Sequence, residues 1–164
     1  MINLNSTTPA APVGAKNVSW QTDASGNVSA SVAGGATRGT YVHTTTSLAN
    51  NAVETSTIPI SLSFMILKVV VSGYARVRLY STAAAAAADV SRAFSTPPAA
   101  GTQHEVIMDM QLDSTYGSTS FVMSPVAIGA NMESVPSTSI SINTTNLTGS
   151  TGTITVTLTA VPLE

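Results

Sequence analysis

The sequence predicts an all-β fold: an antiparallel β-sandwich, jelly-roll-like, with an extended N-terminal arm that carries a small hairpin. Three observations predict it. Residues 55–161 hold seven or eight short alternating or apolar runs, separated by turn signals at close spacing. The runs are rich in β-branched residues, and the last of them alternates Ile154, Val156, Leu158 and Ala160 against threonines. The segment 1–50 is polar and rich in Pro and Gly, with one hairpin pattern inside it. Jelly-roll and immunoglobulin-like strand orders both suit this spacing.

In chain order, Pro9 and Pro12 favour extended backbone at the start. Asn17–Gln21 alternates with Val18 and Trp20 on one face. Asp23 to Asn27 is a turn signal, and Asn27–Val32 alternates through Val28, Ala30 and Val32. A lone hairpin cannot bury Trp20, the only tryptophan, so it must dock on its own domain or on a neighbouring subunit. Gly34, Gly35 and Gly39 form a joint, and the sandwich is expected over 51–164. Leu62–Val71 is apolar on both faces except at Lys68, which predicts a central strand covered on both sides. Tyr74–Tyr80 places Ala75, Val77 and Leu79 inward and Tyr74, Arg76, Arg78 and Tyr80 on the other face. Six alanines, Ala83–Ala88, have the best helix propensity, but so short a run needs packing to hold it, with Asp89 or Ser91 in the turn that follows. Glu105–Asp113 points Val106, Met108, Met110 and Leu112 inward. Thr119–Met123 reads as a short strand ended by Pro125, and Val126–Glu133 as loop or broken strand. Ser137–Asn143 and Thr153–Ala160 complete the set.

Composition excludes several function classes. Charged residues make up 9% of the chain, against an average of about 25%. Net charge is −2 with no basic cluster, which argues against binding nucleic acid through phosphates. The absence of Cys removes disulfides, zinc–thiolate sites and thiol nucleophiles together. No run is long and apolar enough to span a membrane, and the first residues lack the pattern of a secretion signal. His43 and His104 stand far apart, and His104 and Glu105, as adjacent strand residues, point to opposite faces. Asp109 and Asp113 share a strand face at roughly 13–14 Å, too far apart for paired-carboxylate hydrolysis. No nucleophile motif or phosphate loop occurs. The expectation is a protein that is not an enzyme and that uses no metal or cofactor. With few charges on its 22 Ser and 24 Thr, it is expected to be covered by neighbouring subunits; an extracellular β-domain with a Ser/Thr-rich face is the alternative. Candidate interface residues are Val18, Trp20 and Val28 on the hairpin, and Tyr74, Arg76, Arg78 and Tyr80 on the strand. The second group reads equally as a solvated strand face pairing with Asp109 or Glu133.

Three stretches carry a family resemblance: NLNSTTPAAPVGAKNVSWQTDASGNVSASV at the start, YARVRLYSTAAAAAADVSR before a Pro-rich loop, and SISINTTNLTGSTGTITVTLTAVPLE at the end. They resemble small β-sandwich virion structural proteins of tailed bacteriophages, over about half of the chain. The chain departs from the middle motif in its uninterrupted alanines and in Ala93 and Phe94, where a proline is expected after Arg92. The resemblance implies a capsid decoration (cement) protein, or a tail, baseplate or fibre-attachment protein. It implies a homo-oligomer, typically a trimer, whose arm clasps neighbours. The partners would be the major capsid protein or other virion proteins. The location would be the phage particle, after synthesis in the host cytoplasm. A carbohydrate- or receptor-binding module is the rival of another class, and it predicts an aromatic platform or a cation site.

Overall fold

The computed structural model describes two strands near the N-terminus and residues 37–98, 105–115 and 117–163. The chain divides into two units, Met1–Gly35 and Ala36–Glu164. In the first, β1 (Val18–Thr22) and β2 (Val28–Val32) pair antiparallel, with Trp20 opposite Ala30. This is the hairpin that the alternation predicts. The side chains of Val18, Trp20 and Val28 lie outside the described residues, as do residues 1–17 and His104.

The second unit is a sandwich of eight strands. They are β3 (Gly39–Thr44), β4 (Val53–Pro59), β5 (Ser63–Val71), β6 (Ala75–Tyr80), β7 (Val106–Leu112), β8 (Ser120–Ala130), β9 (Ser139–Asn146) and β10 (Thr155–Pro162). One sheet has the order β3-β10-β5-β8 and the other β4-β9-β6-β7. Every pair is antiparallel. The pairing is nested: β3 pairs with β10, β4 with β9, β5 with β8, and β6 with β7. A long hairpin rolled so that its strand pairs alternate between two sheets is a jelly roll. The sandwich begins at β3, so residues 39–50 belong to it and not to the arm. The threonines of β3 disguise it in the sequence. Tyr41 still packs on the core, while Thr40, Val42 and Thr44 face out.

The core lies between the sheets. Phe64, Ile66, Val69, Val71, Val156 and Leu158 come from one side, and Ile58, Val77, Leu79, Ile140 and Ile142 from the other. Two bulges set which residues reach it. Thr159 pairs with Lys68 and Ala160 with Ile66, so the ladder skips Leu67. The inward phase of β5 therefore switches from Phe64 and Ile66 to Val69 and Val71. This phase switch makes β5 read as apolar on both faces, whereas only one face is buried. In β7, Leu79 pairs with Met108 and Tyr80 with Val106. Ile107 is the extra residue; it packs on the core, and Val106 turns to Tyr80 instead of inward.

The doubly covered strands are β6 and β9, at the centre of the second sheet. Their outer face lies under α1 (Ala83–Ala88) and the segment after it. Nor does Pro125 end a strand: β8 runs through it for eleven residues. The ladder with β5 breaks there: Ile66 pairs with Ala127 and Lys68 with Val122, so residues 123–126 form a bulge in which proline displaces no ladder hydrogen bond. On β8, Gly129 fits because a Cβ there would come within 2.8 Å of Phe64 and Ile107.

Ile142 is fully buried beside Leu79 in the core. Ile142→Ala is expected to destabilise the domain by about 2–5 kcal/mol. Chemical denaturation would show this as a lower midpoint with an unchanged slope.

Candidate functional site

The outer face of β6 and its cap hold the densest cluster of functional groups. The register sets Arg76 against Thr145 and Gln111, and Arg78 against Asn143 and Asp109. Above them the alanine helix is fixed at its start by two side chains. Thr82 Oγ1 accepts the Ala85 N–H at 3.2 Å, and Glu133 Oε1 accepts that of Ala83 at 2.5 Å. Ala85 and Ala86 pack on Tyr80. Asn143 Nδ2 donates to the Ala86 carbonyl at 2.8 Å, which ties the helix to β9. Asp89 then enters from the helix end.

Asp89 and Asp109 organise three arginines. Arg92 bridges them, with Nε to Asp89 Oδ1 and Nη2 to Asp109 Oδ2, both at 2.6 Å. Arg76 forms a two-pronged pair with Asp109 at 2.8 and 2.7 Å and donates to the Arg92 carbonyl. Arg78 donates to the carbonyls of Asp89 and Val90, and its Nη1 lies 3.3 Å from Asp89 Oδ2. The Tyr80 hydroxyl donates to that same Oδ2. Arg78 Nε and Asn143 Oδ1, on facing residues, have no hydrogen-bond partner among the described residues.

Burial pushes the Asp89 carboxyl up, but hydrogen bonds from Arg92 and Tyr80 and the charges of Arg92 and Arg78 outweigh it and hold it below its ordinary range. Asp109 behaves likewise: burial raises it, and the bonds and charges of Arg76 and Arg92 bring it down. Tyr80 is pushed up to about 12, first by burial and then by its bond to Asp89. Carboxylates locked ionised against guanidinium groups are poor proton carriers at neutral pH. The cluster does the chemistry of a clamp.

The interface assignment of Arg76, Arg78 and Tyr80 is therefore corrected. Their relative exposures are 4%, 1% and 0%, and every partner named above belongs to the same chain. Nor is this a solvated face, although the Arg76–Asp109 pairing read from the sequence is present. Glu133 caps the helix instead of meeting an arginine. Tyr74 sits before β6, partly buried. A cleft of about 340 Å³ opens beside the cluster, with Phe94 as one wall. Phe94 is 52% exposed, and its ring centre lies 5.3 Å from the Arg76 guanidinium carbon. At the β3–β4 corner, His43 Nε2 lies 3.3 Å from Glu54 Oε1, an ion-pair distance without hydrogen-bond geometry. Glu54 also accepts from the Thr46 N–H and hydroxyl. Among the described residues no group of three or more His, Asp or Glu side chains could hold a metal ion. No helix among them is long and apolar enough to cross a membrane.

No family model, curated protein or solved structure matches the chain.

The second feature is a surface. Phe121 (47% exposed), Val122 (67%) and Ile128 (66%) stand out along β8, followed by Met132 and Val135. Residues 114–132 contain no charge. Two hollows border the strand, and β7 residues line both. One, of about 430 Å³, is lined by Phe94, Met110, Leu112 and Phe121. The other, of about 420 Å³, is lined by Val106, Ile107, Ile128 and Met132. Dividing the segment at Pro125 hides this strip in the sequence. The nineteen-residue gap between Asp113 and Glu133 is the signal that marks it.

Removing the Asp89 carboxyl leaves Arg78 buried and unpaired, so Asp89→Ala is expected to cost about 3–5 kcal/mol in denaturant unfolding. The pH profile follows from the shifts. Folded Asp89 and Asp109 titrate below the ordinary 3.8, so the unfolded chain binds more protons in acid. Their contribution is present above about pH 4 and lost as pH falls through the folded values. Tyr80 works at the other end: its contribution is full below pH 10 and lost as pH rises towards 12. Thermal unfolding of the wild type and of Asp109→Asn across this range checks it, the variant showing the shallower acid limb.

Proposed function

We propose that the chain is a structural protein of a bacteriophage particle, a capsid decoration (cement) protein that binds neighbouring subunits. The observation that carries the reading is the uncharged, apolar edge of a jelly-roll sandwich, exposed in the single chain. A surface of this kind calls for cover by another protein. The jelly roll is a frame common to capsid and lectin domains, and the fold alone does not choose between them. The choice rests on the absence of charge along the strip and on the resemblance of three sequence stretches to phage β-sandwich proteins. The arginines, tied to their own aspartates, offer a sugar or a phosphate little. The N-terminal hairpin supplies a second contact, through Trp20.

The test is where the protein is found. Purified particles are expected to contain it, with its density on the head lattice. Density on the tail would move it to a tail or baseplate role. Free protein that binds glycans and is absent from particles would overturn the proposal. Trp20→Ala is expected to lower occupancy on particles several-fold while leaving the unfolding midpoint of the sandwich unchanged. Fluorescence-free unfolding by circular dichroism reads the midpoint, since the variant lacks the only tryptophan.

A further inference from the structure

We infer that the cleft beside the arginine cluster and the hollow next to it form one binding site for a small apolar monocarboxylic acid, with its carboxylate at the arginines and its chain in the hollow. The site does not depend on the virion role. Charge points to the carboxylate. In the cluster, Arg76, Arg78 and Arg92 meet two carboxylates, those of Asp89 and Asp109. Three cations against two anions leave one positive charge over, and all three arginines line the cleft. Asp113, the next acid along β7, is held by Gln111 Nε2 and the Thr115 N–H. Val53, Val90 and Leu147 add apolar wall to the same cleft. Walls of low polarity strengthen the pull of a charge on an anion between them.

The hollow supplies the place for the chain. Phe94 and Gln111 line both the cleft and the hollow, so the two adjoin at these residues. Beyond them the hollow is walled by Met110, Leu112 and Phe121. A ligand that reaches from one to the other needs a charged head and an apolar body. A phosphate monoester brings nearly two negative charges to the one available. A sugar has neither the charge nor a chain for the hollow. A monocarboxylate on an aliphatic chain matches both halves: one charge for one charge, and hydrocarbon against Met110, Leu112 and Phe121.

Calorimetric titration of the full-length protein with octanoate at neutral pH is expected to show one saturable site, with a Kd of about 1 mM or tighter. Octanamide, the same chain without the charge, should bind about tenfold more weakly or worse. Butyrate, the same head on a shorter chain, should also lose about tenfold or more. Two exposed wall residues test the two ends: Ser91 lines the cleft and Phe121 the hollow. Ser91→Asp sets a like charge beside the head and should weaken octanoate about tenfold. Phe121→Ser removes apolar wall and should weaken octanoate several-fold while leaving butyrate as it was. No saturable binding at millimolar octanoate, equal binding of octanamide, or an octanoate affinity that ignores both variants would overturn the inference. Should either variant fail to fold, the comparison of octanoate with octanamide on the wild type decides it.

Discussion

The carboxylate of Asp89 is the constraint on which the second sheet and its cap both depend. β6 carries Arg76 and Arg78 into a place almost closed to water. A buried guanidinium without a partner costs several kcal/mol, so the position is tenable only because carboxylates arrive there. Arg78 faces Asp109 across the ladder, yet Asp109 is taken up by Arg76 and Arg92. Arg78 is left to Asp89, which caps the end of the helix. Six alanines would not hold a helix alone. They hold one here because Thr82, Glu133 and Asn143 fix its ends and Asp89 anchors its exit. The sheet face is buried because the helix covers it, and the helix exists because the sheet retains it. Apolar residues of equal volume could fill the same space with similar stability. What the ions add is register, since a slip of one residue between β6 and β7 would part Arg76 from Asp109.

The sandwich was legible in the sequence because its period-two pattern survives in most strands. It was lost where a bulge shifts the phase. Leu67 and Ile107 are each one extra residue, and each turns a one-sided strand into a sequence that looks two-sided or wrongly faced. The true double burial of β9 was hidden for the opposite reason. Ser141, Asn143 and Thr145 look like a solvent face, and all are buried under the cap or beside the arginines. The clamp itself was half legible. Asp109 lies in the strand beside Arg76, so its pairing could be read from strand spacing. Asp89 and Arg92 reach the arginines only through the path of a long connection, which no local pattern encodes.

The clamp also explains the surface. Three of the chain's six basic residues and two of its eight acidic ones are drawn into this one cluster. A chain with so few charges thereby loses several from its exterior, and much of what the described residues expose is threonine, serine and aliphatic side chain. The nested pairing of the jelly roll joins residues far apart in sequence, so folding proceeds through slow, long-range closures. During that time an uncharged edge such as β8 is a hazard. A fold that keeps it through that hazard, with Pro125 blocking strand addition, carries a surface better suited to a specific side-chain contact than to solvent.

Phe94 links the two features. On one side its ring lies over the Arg76 guanidinium, and on the other it lines the hollow beside Phe121. Its position is set by Arg92 two residues earlier, whose three nitrogens are bound to Asp89, Asp109 and the Thr96 carbonyl. The hollow next to β8 is thus shaped by a loop held from inside by ion pairs. Loosening the pairs would free the loop and, with it, one wall of the strip. The alanine helix and the arginine strand contribute to contact without touching a partner: they make rigid one wall of a surface whose exposed side chains are apolar. Rigidity of that kind lowers the entropy lost on association, and so lets a modest apolar area bind.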